Sequence, residues 1–146
     1  MNLFAMLDLS GSALTAERER AEVVASNMAN AETTRTPQGG PYKRQEVVFS
    51  SAPVGGDNFA EQLSAAWDAN VQGVKLTQVV SDPTPAVRRY DPSHPDADPE
   101  GFVAFPAINP IEEMVDLMGA ARAYQLNVSA IQSTKQMIKE SLAILA

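Results

Sequence analysis

The stretch ASNMANAETTRTPQGGPYKRQEVVF, Ala25 to Phe49, changes its backbone chemistry twice. Its first half is Ala and Asn at near-helical spacing. Thr33, Thr34 and Thr36 follow, then the break Pro37-Gln38-Gly39-Gly40-Pro41, then the β-branched and aromatic run ending in Val47, Val48 and Phe49. Asn27 and Asn30 are expected to mark the end of a helix, because Asn tolerates the left-handed conformation and its side chain satisfies free carbonyls. The threonines favour extended backbone. The Pro/Gly cluster should then turn the chain into a strand.

Upstream, roughly Leu3 to Asn30, Leu7, Ser10, Leu14, Glu17, Ala21, Val24, Met28 and Ala31 recur in steps of three and four, the spacing of a heptad seam. Ser10, Glu17 and Ala21 bury little apolar surface, so the seam is weak. The adjacent run Glu17-Arg18-Glu19-Arg20 reads as a solvated helix face.

The C-terminal segment carries the stronger helix signal. Asn109 is a candidate N-cap, Pro110 suits the first helical position, and Glu112 stands where a capping-box acid belongs. Glu113 and Asp116 complement the positive end of the helix dipole, and Lys135 and Lys139 lie towards the other end. Met114, Leu117, Ala121, Tyr124, Val128, Ile131, Lys135, Ile138, Leu142 and Leu145 continue the three-four spacing. A helix of this extent is roughly 50 Å long. Only Gly119 weakens it.

Most of the prolines and glycines lie between the two helices. Lys43–Ser50 reads as a strand with Val47 and Phe49 on one face. Gly73–Ser81 alternates Val74, Leu76, Gln78 and Val80 against Lys75, Thr77 and Val79. Ala86–Tyr90 and Gly101–Phe105 are shorter candidates, separated by the turn-rich DPSHPDADPEG, Asp91 to Gly101. Phe59, Leu63 and Trp67 recur every four residues and suggest a short amphipathic helix. The fold class expected is therefore α+β. Residues 1–36 and 108–146 would form a paired, coiled-coil-like helical inner domain, and 37–107 a small β-rich outer domain with an insert at 52–70.

Little in this chain carries chemistry. His94 is the single histidine, and the prolines at 92, 95 and 99 stiffen the loop that holds it beside Asp91, Asp96 and Asp98. No 12-residue calcium loop fits there. The Gly-Gly pairs form no phosphate cradle. No catalytic residue, cofactor or metal is expected, nor enzymatic activity. A net charge of −7 argues against binding nucleic acid through its phosphates. With no Cys there is no disulfide framework or thiolate chemistry. No run of about 18 apolar residues is present to span a membrane. MNLFAMLDLSGSAL lacks a basic n-region and is interrupted by Asp8, so a cleavable signal peptide is not expected. An isolated helix pair with these seams would bury little apolar area, at about 25 cal/mol per Å². Its small residues favour dense packing among many copies, and a structural subunit that completes its core by assembly is the reading that follows.

The run Ala25-Ser26-Asn27-Met28-Ala29-Asn30 followed by Thr resembles the N-terminal signature of bacterial flagellar axial proteins. TRTPQGGPYKRQEVVF (Thr34 to Phe49), YDPSHPDADPEGFV (Tyr90 to Val103) and EEMVDLMGAARAYQLNVSAIQSTKQM (Glu112 to Met137) resemble the basal-body proximal-rod family of the FlgC type. Ala52 to Asn70 departs from that pattern. The resemblance implies a rod subunit that stacks helically, transmits torque from motor to hook through the periplasm, and lines an export channel. It implies contacts with copies of itself, with FlgB-, FlgF- and FlgG-type rod proteins and with a FliE-type adaptor. It also implies transit through the flagellar export gate. Subunit-interface candidates are Leu7, Leu14, Val24, Asn27, Met28, Asn30, Met114, Leu117, Ala121, Tyr124, Gln125, Val128, Ile131, Ile138 and Leu142. A soluble coiled-coil adaptor or secretion chaperone is the alternative, distinguished by forming a stable small dimer.

Overall fold

In a computed structural model that describes residues 3–53 and 72–145, the chain is a mixed α+β protein. Helix α1 (Leu3–Ala29) is followed by strands β1 (Gln45–Pro53), β2 (Gln72–Ser81), β3 (Val87–Tyr90) and β4 (Phe102–Phe105), and by helix α2 (Pro110–Leu145). Both helices and all four strands stand where the residue patterns put them, within a few residues at each end. The helical expectation for Phe59, Leu63 and Trp67, and almost all of the suggested insert, lie outside the described residues.

α2 is started by its cap. The Asn109 Oδ1 accepts the Ile111 N–H at 3.1 Å, and the Asn109 carbonyl takes the Glu113 N–H at 3.1 Å. Glu112 does respond as a capping acid, but it accepts from the Asn109 side-chain amide (3.0 Å). The cap thus satisfies donors that the first helical turn leaves free. α1 ends differently from expectation. Among the described residues no non-glycine residue has positive φ, so neither Asn27 nor Asn30 is left-handed. The helix instead tightens into turns. The Asn30 N–H is shared between the Ser26 and Asn27 carbonyls (3.1 and 3.2 Å), and the Asn30 Nδ2 donates to the Ser26 carbonyl at 2.9 Å.

The chain then doubles back. The Gly39 N–H bonds the Thr36 carbonyl at 2.9 Å across Pro37-Gln38, and Gly39 and Gly40 take φ of 88° and 74°. Glycine is suited to both positions because it lacks the Cβ that disfavours positive φ. The Tyr42 N–H returns to the Thr33 carbonyl at 3.0 Å, which delivers residues 42–45 to the C-terminal end of α1.

Strands β1 and β2 form one antiparallel ribbon, and β3 and β4 another. The first contains a bulge: Val48 faces Gln78 but Phe49 faces Leu76, leaving Thr77 as the extra residue. Strict alternation would set Leu76 with Gln78 and Val80. The bulge resets the phase so that Val79, Leu76 and Val74 lie across from Val47, Phe49 and Ser51. A two-stranded ribbon is marginal on its own. This one packs along α1, where the Val74 N–H donates to Ser12 Oγ at 3.2 Å while that hydroxyl donates to the Leu9 carbonyl.

α1 and α2 pack together. Their shared face is narrow in apolar content: Ala16 and Val24 on α1 and Ala120 on α2 are buried, and so are the polar Asn27, Glu113 and Thr134. The expected seam on α2 is therefore corrected by one residue. One rung runs Glu113, Ala120, Asn127 and Thr134; of the expected Met114, Ala121, Val128 and Lys135, only Val128 is half-buried and the others are exposed. The other rung retains Leu117, Ile131 and Ile138 as half-buried, with Tyr124 exposed. A straight helix drifts about 20° per heptad from a 3.5-residue repeat, so spacing alone leaves the facing side undecided by one position. Burial of a hydrogen-bonded Glu113 decides it.

Candidate functional site

The best-built feature is a buried polar junction where α1 ends, β1 begins and α2 begins. Asn27 is at its centre, with 1% of its surface exposed. Its Oδ1 accepts the Gln45 N–H at 2.9 Å and its Nδ2 donates to the Gln45 carbonyl at 2.8 Å. The side-chain amide thus pairs with the peptide groups of Gln45 much as a neighbouring strand would. The second Nδ2 proton goes to Glu113 Oε2 at 3.0 Å, and the Tyr42 hydroxyl donates to Oδ1 at 3.2 Å. Every donor and acceptor position of the amide is used.

Glu113, also 1% exposed, presents its other oxygen to Arg44 Nε at 2.6 Å. The Glu113 carboxylate raises the Arg44 guanidinium above its ordinary value, outweighing the lowering effect of burial. Arg44 also contacts Glu46 and lies 3.9 Å from Asp116. Arg20 reaches Asp116 at 3.5 Å and Glu17 at 3.9 Å, which carries the network from α2 back to α1. Asn27 was singled out from the sequence. Arg44, Tyr42 and the inward role of Glu113 were not. Their partners are 69 and 86 residues apart for Glu113, and such distant pairing leaves no local spacing to read.

The second feature is the outward side of α2. Ile111, Met118 and Leu126 are exposed at 74%, 59% and 65%, and Met114, Val115, Met137, Leu142 and Ile144 are exposed with them. Of the interface candidates, Met114, Ala121, Tyr124, Gln125 and Leu142 stand on exposed surface. Leu7, Leu14, Met28, Asn30, Leu117, Val128, Ile131 and Ile138 are half-buried, and Val24 and Asn27 are buried within the chain.

The turn around His94 is internally bonded. Asp91 Oδ1 accepts from the Ser93 hydroxyl and N–H, Asp96 Oδ2 accepts from the Thr34 hydroxyl at 2.8 Å, and Asp98 pairs with Arg88 at 3.0 Å. His94 Nδ1 accepts the Asp96 N–H. These carboxylates face different partners. Among the described residues, no group of three or more His, Cys, Asp or Glu is placed to hold a metal ion. No helix there is long and apolar enough to cross a membrane.

Comparison with known proteins places these features in a family. Residues 7–35 match the model of flagella basal body rod proteins, and residues 100–144 match the C-terminal model of flagellar basal body rod FlgEFG proteins. The flagellar basal-body rod protein FlgC of Borreliella burgdorferi is 39% identical over 150 residues, covering 99% of both chains. That of Bacillus subtilis is 40% identical over 152 residues with the same coverage. That of Escherichia coli O6:H1 is 38% identical over 144 residues, covering 99% of this chain and 98% of its own. The N-terminal model covers most of α1 and its Asn-rich end, and the C-terminal model covers β4 and nearly all of α2, so the two matches meet at the Asn27–Glu113 junction. The chain belongs to the FlgC family of flagellar basal-body rod proteins, structural subunits of the rod.

Proposed function

We propose that this chain is a subunit of the proximal rod, stacked helically with copies of itself and with FlgB-, FlgF- and FlgG-type rod proteins, and adjoining a FliE-type adaptor. It transmits torque through the periplasm, lines the export channel, and reaches its place through the flagellar export gate. The terminal segments 1–36 and 108–146 form the inner, subunit-packing part and 37–107 the outer part. The chain performs no catalysis. The carrying observation is the outward face of α2, where Ile111, Met114, Val115 and Met118 lie side by side over the first turns, each at least half exposed. Apolar surface that is contiguous along a helix marks an interaction site.

The cysteine-free sequence makes the test direct. Single Ile111→Cys and Met118→Cys variants, incorporated into basal bodies and treated with a bismaleimide, should crosslink to neighbouring rod subunits. A Gln38→Cys control reports the outer segment. Basal bodies that contain the variants but yield no α2 crosslinks would overturn the assignment of this face.

A further inference from the structure

The Asn27–Glu113–Arg44 junction has a consequence for how the subunit becomes ordered. The face shared by α1 and α2 is poor in apolar surface, with Ala16, Val24 and Ala120 as its buried apolar side chains among the described residues. Small residues allow close approach but do little to select one helix register over another. At the same end of the pair, a buried carboxylate and a buried amide require partners. Beyond the one bond they make to each other across the helices (Asn27 Nδ2 to Glu113 Oε2, 3.0 Å), their partners come from neither helix: Arg44 supplies the guanidinium and Gln45 supplies a peptide N–H and carbonyl. A helix pair formed without them would bury the Glu113 charge and half of the Asn27 hydrogen-bonding capacity uncompensated, a more costly state than leaving both in water.

We propose that the start of β1 is a folding latch: docking of Arg44 and Gln45 between the two helices licenses their pairing and sets its register. This extends beyond the rod assignment and does not depend on it. The logic is asymmetric. The β1–β2 ribbon base has its own closure, since the Asp82 N–H donates to the Arg44 carbonyl at 2.8 Å, next to the Gln45–Ser81 pair. The Arg44 backbone is therefore held by the ribbon, and its side chain is presented to Glu113 from a prepared position. Between the helices themselves, the Asn27–Glu113 bond uses one amide proton and one carboxylate oxygen, and among the described residues the Glu113 counter-charge and the other Asn27 bonds come from residues 42–45. The Arg20–Asp116 pair links the helices directly, but it is solvent-facing and 3.5 Å long, and exposed pairs of this kind contribute little.

Hydrogen exchange on the full-length chain tests this, comparing wild type, Arg44→Ala, and the triple variant Asn27→Leu/Arg44→Met/Glu113→Leu, in which the polar requirement is removed together with its satisfaction. Arg44→Ala should accelerate exchange roughly tenfold or more over residues 18–29 and 110–122 together, although Arg44 lies in neither helix. The triple variant should return slow exchange to both helices while residues 41–46 stay fast. Acceleration confined to residues 41–46 in Arg44→Ala would overturn the latch. So would a triple variant that remains as fast as Arg44→Ala, or wild-type helices that already exchange like open chain. If Arg44→Ala leaves no folded protein, Arg44→Lys keeps the charge and loses the Nε contact. The same joint, smaller acceleration of both helices is expected there, and a purely local change again overturns the proposal.

Discussion

At the scale of single residues, the molecule relies on side chains that imitate backbone. Asn27 pairs with both peptide groups of Gln45 and still holds Glu113 and Tyr42. Removing it strands buried donors and acceptors, each worth about 1–3 kcal/mol when unsatisfied. Asn27→Ala is therefore expected to lower stability by roughly 2–4 kcal/mol in urea unfolding. Asn27→Asp is the sharper variant. It keeps the shape and Oδ1 but replaces the donor facing Glu113 with a second carboxylate oxygen, so it should cost at least as much as the alanine at neutral pH and recover part of the loss in acid. The Asp91 turn responds to pH in its own way. The Ser93 hydroxyl, ahead of the Ser93 N–H, lowers the Asp91 carboxyl below its ordinary value. A group whose folded value is depressed adds stability above its unfolded value, about 3.9 for Asp, and loses it as pH falls through the lower folded value. The stability gap between wild type and Ser93→Ala should thus be full at pH 7 and narrow progressively below about pH 4. A gap that stays constant down to pH 2 would show that the Ser93 bond acts independently of the Asp91 charge.

At the scale of elements, Ala120 and Ala121 separate two readings of α2. Spacing alone makes Ala121 a seam residue, whereas the fold buries Ala120 to 1% and exposes Ala121. Ala120→Leu should overpack the helix pair and cost about 1–3 kcal/mol. Ala121→Leu should stay within about 0.5 kcal/mol of wild type in the single chain. The reverse order would restore the seam through Met114, Ala121 and Val128. The elements themselves were legible because their signals are local. Asn109-Pro110 opens α2, β-branched runs bounded by Pro and Gly became strands, and Pro37 to Pro41 turned the chain as read. What was hidden depends on distant partners. The Thr77 bulge exists to put Leu76 beside Phe49 rather than to obey alternation within β2. Glu113 reads as a dipole-complementing surface acid until Arg44, 69 residues away in the chain, makes its burial tolerable. Asn27 was legible as important but not for its reason: it binds a strand rather than adopting the left-handed backbone of a helix stop.

At the scale of the whole molecule, the two sides of α2 differ: one is buried in the fold and the other is exposed. The inward side buries Glu113, Ala120 and Thr134, while Ile111, Met118 and Leu126 project outward. These two sides make different predictions for the same kind of substitution. Met118→Asp puts a charge on surface that the isolated subunit leaves in water, so the unfolding midpoint of the purified chain should be nearly unchanged, within about 0.5 kcal/mol. In a rod the same carboxylate would be desolvated against a neighbour without a partner, at a cost of several kcal/mol. Identical subunits repeat that cost at every copy, which a helical assembly cannot absorb. Cells carrying Met118→Asp as their sole copy should export the protein yet lack completed rods, hooks and swimming. Ile138→Asp, on the half-buried rung, should fail in assembly and also destabilise the purified chain. Glu140→Ala, on exposed surface, should do neither. Normal swimming by the Met118→Asp strain, with the variant present in its basal bodies, would mean that the outward face of α2 remains wet in the rod and that subunits meet through other surfaces.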